Sequence, residues 1–173
     1  MLRRLMADLR GCPVMAADGF VGAVRDAYFD DRWTVRYLAL ESAGRLRLVS
    51  TESISDAGAG RGGITLAIDV HQVSHAIAAD NAGDATARDT LRSACDVTDY
   101  SMRARDGGIG SLHDFIVDDR NWHITDLVAD TRSWLPGKPR LISPDAVDCI
   151  DSSGHTICIR LTREEVGRSP RAH

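Results

Sequence analysis

Apolar residues in this chain fall in short runs that alternate with polar ones, and Gly and Asp clusters separate the runs. Alternation with a period of two marks half-buried strands. The pattern predicts a short first strand within residues 8–17, then strands over Phe20 to Asp30, Trp33 to Glu41, Arg45 to Val49, Glu52 to Asp56 and Ile64 to Ile68. Ala17-Asp18-Gly19, Asp30-Asp31-Arg32 and Ser42-Ala43-Gly44 read as turns, and Ala57 to Gly63 as a glycine-rich hairpin tip. In the third of these strands, strict alternation puts Val35, Tyr37 and Ala39 on one face and Arg36, Leu38 and Leu40 on the other. Both faces carry apolar groups, which predicts a strand covered on both sides. Asp69 has the chemistry of an N-cap for a helical turn over Val70 to Ala76. Thr162 with Glu165 three residues on has the spacing of a capping box.

The pattern occurs twice. Asp18-Gly19-Phe20-Val21-Gly22 through Asp30-Asp31-Arg32 returns 88 positions later (Asp18 to Asp106) as Asp106-Gly107-Gly108-Ile109-Gly110 through Asp118-Asp119-Arg120. Trp33 falls over Trp122 after one inserted residue, Asn121. Beyond a longer insertion, Ser133 to Pro139, the offset becomes 93 (Leu48 to Leu141), and Ile64 to Asp69 falls over Ile157 to Thr162. Insertions sit between strand-like runs, where loops tolerate them. Self-similarity on this scale predicts two related units: residues 1–77, a small and polar linker at 78–90, residues 91–168, and a frayed tail at 169–173. Each unit is small enough to bury only roughly 60% of its unfolded surface. The halves are therefore expected to lean on each other or on a second chain.

Each half resembles the PRC-barrel domain, known as the cytoplasmic barrel of the photosynthetic reaction centre H subunit and the C-terminal barrel of the ribosome maturation factor M. The residues that carry this resemblance are Gly22, Asp26 and Phe29-Asp30, Tyr37-Leu38, the Leu141 to Val147 corner and the closing Ile159 to Val166 run. In the first half Ser50-Thr51-Glu52 stands where the proline-rich corner is usual, and Asp69 to Val73 is a weaker form of the closing motif. The resemblance implies an all-β fold of two tandem small antiparallel barrels, each followed by a short helix. It also implies Gly22, Asp26, Asp30, Gly110, Asp114 and Asp118 as structural motif residues. Relatives grip proteins, so it implies a non-enzymatic adaptor or scaffold. A link to a membrane, photosynthetic or ribosomal complex would rest on that analogy alone.

Composition narrows the choice of partner. The formal net charge is -4, and Lys138 is the single lysine. Phosphate recognition needs concentrated basic residues, so this balance argues against nucleic acid. With 5% aromatic residues the chain is also poor in stacking platforms. An RNA-processing role is therefore the weakest of three classes, behind an adaptor and a sensor of small molecules or metals using a cleft between the barrels. No apolar run approaches the roughly 20 residues of a membrane span, so no membrane insertion is expected. Cys12, Cys95, Cys149 and Cys158 lack paired-ligand spacing and read as small buried hydrophobes in a reducing, cytoplasmic setting.

Candidate chemistry is sparse. Asp30-Asp31 and Asp118-Asp119 could bind a cation, but adjacent strand residues face opposite ways and Asp favours turns; the turn reading is adopted. Asp26 and Asp114 sit mid-strand and need partners, with Arg36 or Arg10 available to the first. His71 and His75 share a helix face at zinc-compatible spacing; a solvent-facing pair is the reading adopted, because Glu164 and Arg168 take their places in the repeat. No nucleophile elbow, phosphate loop or metalloprotease motif occurs. No catalytic residue, metal or cofactor is therefore assigned. Trp134, Leu135 and Lys138, in the proline-stiffened insertion, are the candidate partner-binding residues. Trp134 either anchors a partner or folds back onto its own unit.

Overall fold

The computed structural model describes residues 3–58, 63–78 and 91–173. The expected linker, apart from Ala78, and the centre of the glycine-rich tip lie outside these residues. The elements run β1 (Arg3–Leu5), α1 (Met6–Leu9), β2 (Pro13–Ala16), β3 (Gly19–Phe29), β4 (Val35–Ser42), β5 (Arg45–Ser50), β6 (Ile54–Asp56), β7 (Ile64–Leu66), α2 (Val70–Ser74) and β8 (Ile77–Ala78). Then follow β9 (Arg92–Ser93), α3 (Ala94–Val97), β10 (Ser101–Ala104), β11 (Gly107–Asp118), β12 (His123–Asp130), β13 (Arg140–Ile142), β14 (Val147–Asp151), β15 (Thr156–Ile159) and α4 (Arg163–Arg168). A 3-10 turn precedes β6 (Thr51–Ser53) and another precedes β14 (Pro144–Ala146).

The chain divides into two compact units that are not contiguous in sequence. One holds Met1–Cys95 with Asp118–His123, the other Asp96–Val117 with Ile124–His173. The sheet of the first unit runs β5-β4-β3-β2-β7-β6, with β8 beside β5 and β9 on β3; that of the second runs β13-β12-β11-β10-β15-β14. Strand for strand, the two orders are the same. So are the irregularities: β2–β3 slips register between Val14 and Met15, and β10–β11 slips between Met102 and Arg103.

The sheets are mixed, which corrects the antiparallel expectation. Val14 of β2 pairs in parallel with Ile64 of β7, and Met102 of β10 with Ile157 of β15. In each unit a late strand returns beside an early one in the same direction, a choice that alternation along one strand does not encode.

The cores superimpose by position. At the offsets of 88 to 93, buried Val14, Val21, Val24, Val35, Leu38, Val49, Ile64, Leu66 and Val73 match buried Met102, Ile109, Leu112, Ile124, Leu127, Ile142, Ile157, Ile159 and Val166. One pair trades size. Ala27 and Phe29 in β3 stand where β11 has Phe115 and Val117, all four buried. Strand β4 is buried on both faces from Leu38 to Leu40, as its pattern predicts. Its phase differs, however. The register passes from Tyr28↔Tyr37 to Phe29↔Val35, so a bulge at Arg36 turns Val35 onto the same core as Leu38 and Leu40.

Polar residues of the repeat fix its corners. Asp18 and Asp106 each accept the first helical N–H, from Val70 and Arg163, both at 2.8 Å. Asp69 and Thr162 both form capping boxes, with Gln72 and Glu165. Ser50 and Ser143 accept from the Glu52 and Asp145 N–H groups in the 3-10 turns. Arg47 donates to the Ala76 carbonyl at 3.2 Å and Arg140 to the Ser169 carbonyl at 3.0 Å. Each thus holds a helix end, where carbonyls lack partners and cations are favoured.

The tail is bonded, not frayed. Leu141 N–H donates to Pro170, Ala172 N–H donates to Pro139, and Arg171 bridges Arg140. This is the place that β8 takes on β5, where Ala78 pairs with Arg47.

Candidate functional site

The acidic motif residues are engaged in structure. Asp30 accepts from the Arg32 and Thr34 N–H groups at 3.0 Å each and from Arg36 Nε at 2.7 Å. Burial works against its charged form, but Arg36 and the two backbone donors outweigh that and hold the carboxyl below its ordinary value. Asp118 accepts from the Arg120 N–H in the same way. Both turns close through a tryptophan in the left-handed region, Trp33 at φ 60° and Trp122 at φ 59°, whose N–H groups return to the Asp30 and Asp118 carbonyls. The turn role assigned to these aspartates is what the structure shows.

Asp26 corrects an expectation. Its partners are not Arg36 or Arg10 but the Ser93 hydroxyl and the Cys95 N–H, besides the Ala27 N–H. The carboxylate thus receives the Cys95 N–H at the opening of α3, where a helix's first N–H groups lack internal acceptors. Asp114 is buried and accepts from the Phe115 N–H at 2.7 Å. His71 and His75 lie exposed on α2 with ring centres 4.2 Å apart, and His75 Nδ1 is 2.9 Å from the His71 carbonyl oxygen. Among the described residues no three His, Cys, Asp or Glu side chains converge as a metal site would require. Among them, too, no helix is long and apolar enough to cross a membrane.

Trp134 is folded back. Its indole N–H donates to the Ile109 carbonyl at 2.8 Å, and the Arg163 guanidinium lies 4.7 Å from its ring centre. It is half-buried, Leu135 is half-buried beside Gly167, and Lys138 is exposed. The insertion therefore packs its aromatic group on its own unit. Nearby, Arg132 grips Asp130 with two nitrogens and holds that carboxyl down at about 2.

An apolar strip on the first unit faces outward. Met15 of β2 and Phe20 of β3 are registered opposite each other, 42% and 63% exposed. Pro13 and Ala23 form the next pair on that face, Pro13 exposed and Ala23 half-buried. An exposed Arg25–Glu41 ion pair borders it. At the offset of 88 the second unit carries Ser101, Arg103, Gly108 and Ser111, in the same pairing. The inward positions of the two units are matched apolar residue for apolar residue, whereas these outward ones change from apolar to polar. Single exposed apolar residues are ordinary, but a contiguous set is not. The strip does not show in what the two halves share; its sequence signal is the set of positions at which they differ.

A second feature of the first unit is an open hollow of about 330 Å³ lined by Asp30, Arg36, Tyr37, Ser50, Thr51, Glu52 and Leu91. Its polar groups are largely satisfied internally. Asp30 holds Arg36, and the Thr51 hydroxyl donates to the Val35 carbonyl at 2.9 Å.

The cysteines depart from expectation as well. None of the four is fully buried, and Cys149 is exposed. Cys149 and Cys158 are directly opposite on β14 and β15. No known protein family matches the chain, and no curated protein is similar enough to serve as a guide, so a function has to be argued from these side chains themselves.

Proposed function

We propose that this chain is a non-enzymatic adaptor of the PRC-barrel type, two related β units in tandem that bind another protein through one of them. The observation that carries this reading is the Pro13, Met15, Phe20 and Ala23 strip, present on the first unit and replaced by Ser101, Arg103, Gly108 and Ser111 on the second. Met and Phe are the side chains enriched at the centres of protein interfaces. Their exposure on paired strands gives a rigid apolar anchor, while the Arg25–Glu41 pair supplies a polar rim. Of the candidate acids, Asp30 and Asp118 are engaged by turns and Asp26 by the start of α3. Trp134, with its N–H engaged, contributes at most a ring face, and Lys138 an exposed charge.

The test is a pull-down from native lysate with wild type, Met15→Ser/Phe20→Ser and Trp134→Ala. Loss of one defined partner in the first variant, with retention in wild type, is the expected result. Serine at these outward positions is not expected to disturb the core, which a thermal melt of the variant verifies. Equal recovery by wild type and Met15→Ser/Phe20→Ser would remove the strip from the account. The hollow at Asp30 and Arg36 favours a second reading, a small-molecule sensor. A ligand that raises the melting temperature of wild type, and not of Glu52→Ala, would favour it.

A further inference from the structure

We propose that Cys149 and Cys158 are a modification site: a cross-strand dithiol that closes reversibly to a disulfide on the outer face of the β14–β15 hairpin. The two residues are registered partners in an antiparallel pair. Facing residues in such a pair have Cα atoms about 4.5 to 5.5 Å apart, inside the roughly 4.4 to 6.8 Å that a disulfide spans. Because directly opposed side chains leave a sheet on the same face, both sulfurs emerge together. That face is the outer one. Cys158 is half-buried between fully buried Ile157 and Ile159, and Cys149 is exposed to reagents.

The thiols already sense each other. Hydrogen bonding to the Cys149 thiol, together with burial, pushes the Cys158 thiol above its ordinary value, while nearby Arg103 pulls it partly back. The position is particular to the second unit. At the offset of 93 the first unit has Asp56 opposite Thr65, a pair without redox chemistry. Like the apolar strip, the dithiol is therefore an outward difference laid on a common core. It does not depend on the adaptor reading.

The oxidant is a peroxide. A thiolate from one cysteine attacks the peroxide oxygen, the O–O bond breaks, and hydroxide leaves and takes up a proton to become water. The resulting sulfenic acid is attacked by the second sulfur as thiolate. An S–S bond forms, the S–O bond breaks, and a second water departs. Two thiols and one hydrogen peroxide thus give one disulfide and two waters. A small thiol reverses the step by exchange through a mixed disulfide.

The experiment treats the purified chain with dilute hydrogen peroxide, quenches it with catalase and counts thiols after denaturation. The count is expected to fall from the four of the reduced protein to two, and to return to four after incubation with a small dithiol. Cleavage before Asp151 separates the two cysteines, so the fragments should stay joined until reduced. Cys149→Ser, a change at an exposed position, should abolish the joined fragments. A count that stays at four would overturn the proposal. So would joined fragments that contain Cys12 or Cys95, or links between two chains in place of one. Singly oxidised Cys149 with Cys158 still reactive would do the same.

Discussion

Gly110→Ala is expected to destabilise the second unit by about 3 kcal/mol or more, a size reserved for backbone clashes and severe overpacking. Gly110 lies in β11 at φ +116°, a region that other residues seldom enter. A Cβ there would fall 1.8 Å from the Asp130 carbonyl oxygen and 3.0 Å from its carbon. Those are backbone atoms of β12, so the strand pair itself would have to part. Gly22 is the counterpart in the first unit, with the same 1.8 Å clash against the Glu41 carbonyl oxygen but no positive φ. Gly22→Ala should therefore be harmful and somewhat less so. A thermal melt or urea titration of the two variants against wild type measures both effects. A loss of that size would lower the melting temperature by roughly 12 to 24 °C in a unit this small. Wild-type stability in Gly110→Ala would mean that β11 and β12 do not approach as closely as described.

The second large effect concerns core volume. Phe115→Ala should cost about 3 to 5 kcal/mol, since it empties a fully buried aromatic site. The first unit shows how that cavity can be refilled. It has Ala27 and Phe29 where the second has Phe115 and Val117, so the aromatic ring sits two residues further along the same face. Phe115→Ala/Val117→Phe reproduces that arrangement. It is expected to recover about half of the loss or more, a favourable coupling between neighbours that share a cavity. If the double variant is no more stable than Phe115→Ala, the two cores are not interchangeable in packing, whatever their positions suggest.

Much of this architecture is legible in the sequence because it is local. Alternation located β3, β4 and β5, and Asp69 and Thr162 announced helix starts that the structure closes with capping boxes. The repeat added confirmation that one half alone could not give. Features that depend on distant residues were not legible. Asp26 finds its partners 67 and 69 residues away, at Ser93 and Cys95. The parallel pairing of β2 with β7 leaves no mark on either strand. The bulge at Arg36 shifts the phase of Val35, and a period-two reading has no means of counting an extra residue. Helices α1 and α3 are four residues each, too short for a 3.6-residue period to show. The strand-like contacts of Pro170 and Ala172 are backbone hydrogen bonds, which side-chain alternation does not encode.

The candidate site was legible in a different sense. Met15, Phe20, Cys149 and Cys158 are all plain in the sequence, but what sets them apart is their outward direction, and direction follows from register. Once the register is known, subtraction of one unit from the other isolates them. The shared residues build the scaffold. The unshared outward residues are where the two units differ in what they present to solvent.

One β unit occurs twice in this chain with the same strand pairing. Nuclear Overhauser contacts between backbone protons of paired strands test it most directly. Parallel-type contacts are expected at Val14 with Ile64 and again at Met102 with Ile157, each flanked by antiparallel contacts to β3 and β11. Parallel contacts in one half only, or antiparallel contacts at either pair, would contradict it.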